Sequence, residues 1–282
     1  MSARIRMPAV AGLFYPEDKD ELTDLITSLL NKNKVNRKFK DIVGIVAPHA
    51  GYVYSGNSAA TAYNVLKQNS DFETVIIISP SHTEYFKGST IFDGDAYRTP
   101  LGDVPINREL AEVIVENGEF VSFGNLGHKQ EHALEVHLPF LQMIKDEFDI
   151  VPIVIGDQSL KYVQDLSNAI SELIDDKTII IASSDLSHFY SKEKADKIDN
   201  IIVDRINNFE YPELFDDLAN EKCFACGGGG IVALMETADI IGINKAAVLS
   251  HTDSGDVTQD KSSVVGYLSA VIYGEEDESE KL

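Results

Sequence analysis

Apolar runs and polar punctuation divide the chain into alternating strands and helices. Val43-Gly44-Ile45-Val46-Ala47 is an uninterrupted apolar run closed by Pro48 and followed by His49. Val75-Ile76-Ile77-Ile78-Ser79 closes at Pro80 and is followed by His82. Thr178-Ile179-Ile180-Ile181-Ala182 leads into Ser183-Ser184-Asp185-Leu186-Ser187-His188. Such runs predict strands covered on both faces. Phe148 to Ile155 predicts a further buried strand, Ser89 to Phe92 a short one, and Ala246–Ser250 and Ser262–Tyr273 the closing ones. Between them the spacing turns helical. Leu22, Leu25, Ile26, Leu29 and Leu30 predict a helix over Glu17–Leu30 with acids in its first turn. Further helices are expected from Ser55, over Asn107–Glu116 and Leu160–Ile174, and over 190–220 with a break at Pro212. The Gly- and Pro-rich stretch Asp93–Asn107 reads as a loop, and Thr252–Asp256 as a turn.

This alternation predicts an α/β protein with one domain over residues 1–274, its central, mostly parallel or mixed sheet flanked by helices. In open α/β sheets, ligand sites lie beyond the carboxyl ends of the strands. His49, His82, Asp185 and His188 all occupy such ends, so one shared site is expected there. His128, Glu131, His132, Glu135 and His137 crowd into ten residues. The arrangement is not H-E-x-x-H. Read as a helix start, it places Glu131 with Glu135 on one face and His128 with His132 on one face. Glu131 and His132 are candidates for reaching the site.

Composition narrows the function. The chain has 282 residues, 44% of them hydrophobic, and a formal net charge of −22. That acidity argues against a nucleic-acid-binding surface. Glu275 to Leu282 reads as a disordered acidic tail. No signal-peptide pattern follows Met1, and no run of ~18 apolar residues occurs, so a cytoplasmic protein without a membrane span is expected. The two cysteines, Cys223 and Cys226, exclude a disulfide framework. Their spacing permits a redox pair. Cys226 precedes four glycines and an apolar helical run, a position that lowers a thiol's pKa and lets backbone approach something small. No G-x-S-x-G elbow supports a nucleophilic serine. Imidazole and thiolate are ligands for transition metals, so His49, His82 and Cys226 could form a site with open positions. Asp185 and His188 would then serve as neighbouring orienting or acid–base groups.

The segments Arg6–Pro16, Ala47-Pro48-His49-Ala50-Gly51-Tyr52, Ser79-Pro80-Ser81-His82, Glu131-His132-Ala133-Leu134-Glu135, Ser183–His188 and Cys226-Gly227 together resemble the Memo family, relatives of the class III (LigB-type) extradiol dioxygenases. The resemblance implies a LigB-like α/β domain. It implies metal ligands at His49, His82 and Cys226, with Asp185 and His188 as the other pocket residues and candidate catalytic groups. In the dioxygenase relatives two histidines and a glutamate hold Fe(II), and a further histidine, resembled by His188, is the acid–base catalyst. Here Cys226 stands where that glutamate would be. The resemblance further implies iron or copper, with zinc also compatible. It implies a small molecule or a peptide, including phosphopeptides, as pocket partner, and the eukaryotic relatives are associated with motility signalling and metal handling. Three functions follow as expectations: a metal-handling protein, a dioxygenase-like oxidoreductase, and a peptide-binding module.

Overall fold

The computed structural model describes residues 3–69 and 71–277. The chain runs β1 (Ile5–Arg6), α1 (Lys19–Lys32), β2 (Lys38–Ala47), α2 (Tyr52–Asn69), β3 (Thr74–Pro80), β4 (Ser89–Phe92), β5 (Ala96–Thr99), β6 (Gly102–Pro105), α3 (Arg108–Asn117), β7 (Val121–Gly124), α4 (Leu138–Ile144), β8 (Asp149–Ile155), α5 (Leu160–Ser171), β9 (Thr178–Ser183), β10 (Asp185–Tyr190), α6 (Lys192–Asn207), α7 (Tyr211–Ala219), α8 (Gly228–Ile240), β11 (Lys245–Asp253), α9 (Gly255–Thr258) and β12 (Val264–Asp277). A nine-stranded mixed sheet has the order β10-β12-β2-β9-β3-β8-β4-β7, with β11 on β12. Its centre, β2-β9-β3-β8, is parallel.

Period-two alternation assigns each central strand to two cores. Ile45, Ala47, Val75, Ile77 and Ile181 face one side, where α1, α2 and α4 pack through Leu22, Ile26, Tyr63, Leu66 and Phe140. Val46, Ile76, Ile78, Ile180 and Ala182 face the other, against α3, α5, α6 and α8 through Ile114, Leu166, Ile202, Ile231 and Leu234. Burial on both faces is why these strands read as unbroken apolar runs. The expected α/β architecture is the observed one. Helix α1 begins where Asp18 caps it, its carboxylate accepting from the N–H groups of Asp20 and Glu21.

Several local expectations are corrected. The stretch Asp93–Asn107 is not a simple loop. It holds the antiparallel hairpin β5–β6, and β1 pairs with β5 in parallel to make a small three-stranded sheet. Tyr97 and Val104 drive this by pointing into the core, and Gly102, at φ 134°, makes the turn. Helix α2 starts at Tyr52, three residues before the expected Ser55. Strand β11 runs through Asp253, into the expected turn. Strand β12 runs into the presumed tail: Glu275 pairs with Lys40 and Glu276 with Phe39, because β2 offers it a partner edge. Residues 278–282 of that tail lie outside the described residues.

The largest departure is 128–137. No helix forms until a short 3₁₀ turn at Glu135–His137 leads into α4, where Pro139 sits in the first turn. Tertiary bonds take the place of a helical ladder. The buried Glu135 carboxylate pairs with Arg6 and accepts from the N–H groups of Ala9 and Val10 and from the Tyr15 hydroxyl. Arg6 also donates to the carbonyls of His128 and Glu131. A buried pair of this kind must be fully hydrogen-bonded to persist, and this one is.

His128 and His137 are buried. Burial pushes His128 down to about 4 and His137 to about 3. The unfolded chain would take up a proton on each near pH 6.5. Folded pKa values below unfolded ones mean that this stabilisation is complete above about pH 6.5 and is lost as the pH falls toward the folded values. Each contributes a slope of up to about 1.4 kcal/mol per pH unit inside its window. Urea unfolding measured between pH 7 and 4.5 is expected to show stability falling with pH, with a shallower slope in His137→Gln. An equal slope in the two proteins would refute this origin.

Candidate metal centre

The parallel register sets the geometry. Ala47 of β2 lies opposite Ser183 of β9, and Ile78 of β3 opposite Ala182. His49, Asp185 and His82 each follow two residues after the last residue of β2, β9 and β3. They therefore emerge together at the carboxyl edge. Cys226 comes from the connection between α7 and α8, where its N–H donates to the Asp185 carbonyl at 3.2 Å. Ligand atoms of His49, His82 and Cys226 lie within 4.8 Å of one another. His49 Nε2 is 3.1 Å from Cys226 Sγ.

Hydrogen bonds fix which imidazole nitrogen is free. Ser183 Oγ donates its single proton to the Ala133 carbonyl at 2.6 Å. It must therefore accept from His49 Nδ1, 2.7 Å away. His49 is then the Nδ1–H tautomer, and its Nε2 lone pair faces Cys226. His82 Nδ1 lies 2.9 Å from Glu131 Oε1, an acceptor to which His82 donates, so Nε2 is the nitrogen that could serve as a ligand. Carboxylate and hydroxyl partners behind imidazoles are what orients them as metal ligands. Glu131 also accepts from the N–H groups of His82 and Ala133. Burial would raise its carboxyl, but the bonds from His82 hold it below the ordinary value.

A family model described as Memo-like protein matches residues 6–271. The chain belongs to the Memo family. Proteins named MEMO1 family protein are similar along nearly the whole length. The one from Methanobrevibacter smithii is 37% identical over 279 residues, covering 95% of this chain and 99% of its own. The one from Thermoplasma volcanium is 39% identical over 269 residues, with 95% and 98% covered. A crystal structure of an uncharacterised Escherichia coli K12 protein shares the fold at 15% identity and a TM-score of 0.56, covering 82% of this chain and 99% of that one.

Within this Memo-family chain the remaining candidates divide. Asp185 is buried beside the cluster, where its carboxylate accepts from the His49 N–H at 2.8 Å. Burial raises it to about 7 against those bonds. His188 makes its Nδ1 bond to the Leu186 carbonyl at 2.8 Å. With Cys226 it lines a cavity of about 790 Å³ whose wall does not include His49 or His82. His132 joins the cluster, its ring centroid 4.6 Å from that of His82 and 5.4 Å from that of His49. A second grouping, His82, Glu131 and His132, also brings its ligand atoms within 4.8 Å. The Glu131 oxygens there are taken by the bonds to His82 and Ala133 just described, so the first grouping is the better candidate.

One expectation about the cysteine loop is corrected. Cys226 does not have a depressed pKa. Burial, then the Asp185 charge, pushes its thiol well above the ordinary value, which outweighs the helix start two residues on. The glycines closely approach the protein's own atoms, and Gly228 and Gly229 also line the cavity. A Cβ on Gly227 would lie 2.0 Å from the Ser183 carbonyl oxygen, and one on Gly228 2.7 Å from Leu218. Cys223 is buried, its thiol pushed up to about 11 by burial, and it lines the same cavity.

Ser183→Ala removes the acceptor behind His49 Nδ1. In the metal-free protein, ¹⁵N–¹H correlation spectra of the histidine rings are expected to show His49 as the Nδ1–H form in wild type and as a mixture of tautomers in the variant. An unchanged spectrum would show that Ser183 does not set the tautomer.

Proposed function

We propose that this Memo-family protein binds one transition-metal ion, iron or copper, through His49, His82 and Cys226, and acts in metal handling or redox chemistry. The carrying observation is that ligand atoms of His49, His82 and Cys226 lie within 4.8 Å of one another at the carboxyl edge of the parallel strands, while the Nδ1 group of each imidazole is engaged by Ser183 or Glu131. The donor set fits a borderline or soft ion, and zinc is compatible with it. Three protein ligands leave positions open, so a bound iron or copper would supply Lewis acidity and one-electron chemistry. Asp185 holds the His49 backbone, and Glu131 and Ser183 hold the two rings.

One observation favours a dioxygenase-like oxidoreductase as the second reading. His188 shares a cavity wall with Cys226, which sets a titratable imidazole beside the space a small molecule would enter. A phosphopeptide occupant gains less support. Among the described residues no Lys or Arg lines that cavity, while Asp157 does.

Metal analysis of protein purified without a histidine tag tests the first reading. Wild type is expected to carry about one ion per chain, as a single three-ligand site requires, and His49→Ala and Cys226→Ser to lose most of it. Equal metal content in all three would overturn the site. For the second reading, iron-loaded protein is expected to consume oxygen with catechols and His188→Ala to abolish this. No uptake by the loaded wild type would leave metal handling as the function.

A further inference from the structure

Gln158 follows β8, outside any motif, and uses both ends of its amide. Its Nε2 donates to the Cys226 carbonyl at 2.8 Å, and its Oε1 accepts from the Gly229 N–H at 2.7 Å. The partners fix the amide's orientation, since a carbonyl can only accept and an N–H only donate. The Cys226 peptide is therefore held on both sides. Its N–H donates to the Asp185 carbonyl at the β9–β10 junction, and its C=O receives Gln158 from the end of β8. Between these anchors the Asp185 N–H lies 3.2 Å from Cys226 Sγ.

Gly229 is the second residue of α8, where an N–H lacks an intrahelical partner. Satisfying it would be ordinary capping. The bond to the Cys226 carbonyl is not, because it does nothing for the helix. A Cβ on Gly229 would lie 2.9 Å from both Cβ and Oε1 of Gln158, so the glycine is what lets the amide sit there. We infer that Gln158 is a positioning residue that fixes the Cys226 sulfur beside His49 Nε2 by clamping the Cys226 carbonyl. The inference rests on the reading of His49, His82 and Cys226 as metal ligands.

Cobalt(II) titration of the metal-free full-length protein, prepared without a histidine tag, tests it. The readouts are the thiolate-to-cobalt charge-transfer band, the affinity and the thermal midpoint. Loss of a group that orients a ligand typically weakens metal affinity roughly 10- to 100-fold, and Gln158→Ala is expected to fall in that range with a weakened band. Gln158→Met keeps the volume without either bond and should match it. Gln158→Glu can still accept from Gly229 but cannot donate to the Cys226 carbonyl, so it should bind cobalt as poorly as the alanine variant. If Gln158→Glu behaves as wild type, the side chain is only a helix cap and the inference fails. It also fails if Gln158→Met lowers the thermal midpoint with band and affinity unchanged. A wild type that binds cobalt with no thiolate band would instead remove the metal reading itself, and the inference with it.

Discussion

Three parallel strands sealed on both faces can offer polar chemistry only at their ends. That constraint organises the molecule. Over Val43–Ala47, Val75–Ile78 and Ile179–Ala182 the side chains on both faces are apolar, so no titratable group occupies the sheet's interior there. Their register then brings His49, Asp185 and His82 to one edge without any of them being near another in sequence. Rigid strands fix the Cα positions, and fixed polar partners fix the rings. The site is thus built on the least deformable part of the fold, with the less regular 128–137 segment brought in from the side by the buried Arg6–Glu135 pair.

How legible this was depends on the range of the interactions. The buried strands and amphipathic helices are local patterns, and Val43–Ala47, Val75–Ser79 and Leu22–Leu30 announced them. Strand ends followed by His49, His82 and Asp185 pointed to one edge, and that edge is where the structure places them. The hairpin β5–β6 was hidden because Gly94, Pro100 and Gly102 dominate a short alternating segment in which Tyr97 and Val104 are the main inward anchors. Segment 128–137 was misread because its helical spacing of acids and histidines is incidental. Glu131 and Glu135 are committed to backbone N–H groups and to Arg6, more than a hundred residues away. Ser183 was legible only as part of the Ser183–His188 motif, with no role attached, and Gln158 had no signal at all. A serine or a glutamine becomes informative only when its partners are known.

The thiol shows the same limit in energetic terms. A cysteine ahead of a helix was expected to ionise easily, which is the local argument. Desolvation is not local. Burial penalises the thiolate and also lowers His49 well below the ordinary histidine value, with the neighbouring histidines pushing in the same direction. Both groups therefore prefer their neutral forms, although the chain as a whole is strongly acidic. Net charge describes the solvated surface, and it says little about a pocket whose occupants are paired at hydrogen-bond range.

Neutrality has a chemical consequence at the His49–Cys226 contact. His49 donates through Nδ1, so only a lone pair faces the sulfur 3.1 Å away. The protonated thiol can point at that lone pair or at the Asp185 carbonyl, which lies 3.5 Å from Sγ. In the first arrangement the thiol proton sits between the two atoms that would also bind a cation. A metal ion and that proton then compete for the same electron pairs, and binding one releases the other. The neighbouring groups favour the exchange. The Asp185 N–H is directed at the sulfur and would stabilise it once charged, while Ser183 and Glu131 hold the two imidazole rings by their Nδ1 groups. If the proposed metal binds, that exchange would call for no backbone rearrangement, because the His49 and His82 rings and the Cys226 carbonyl are already bonded by Ser183, Glu131 and Gln158.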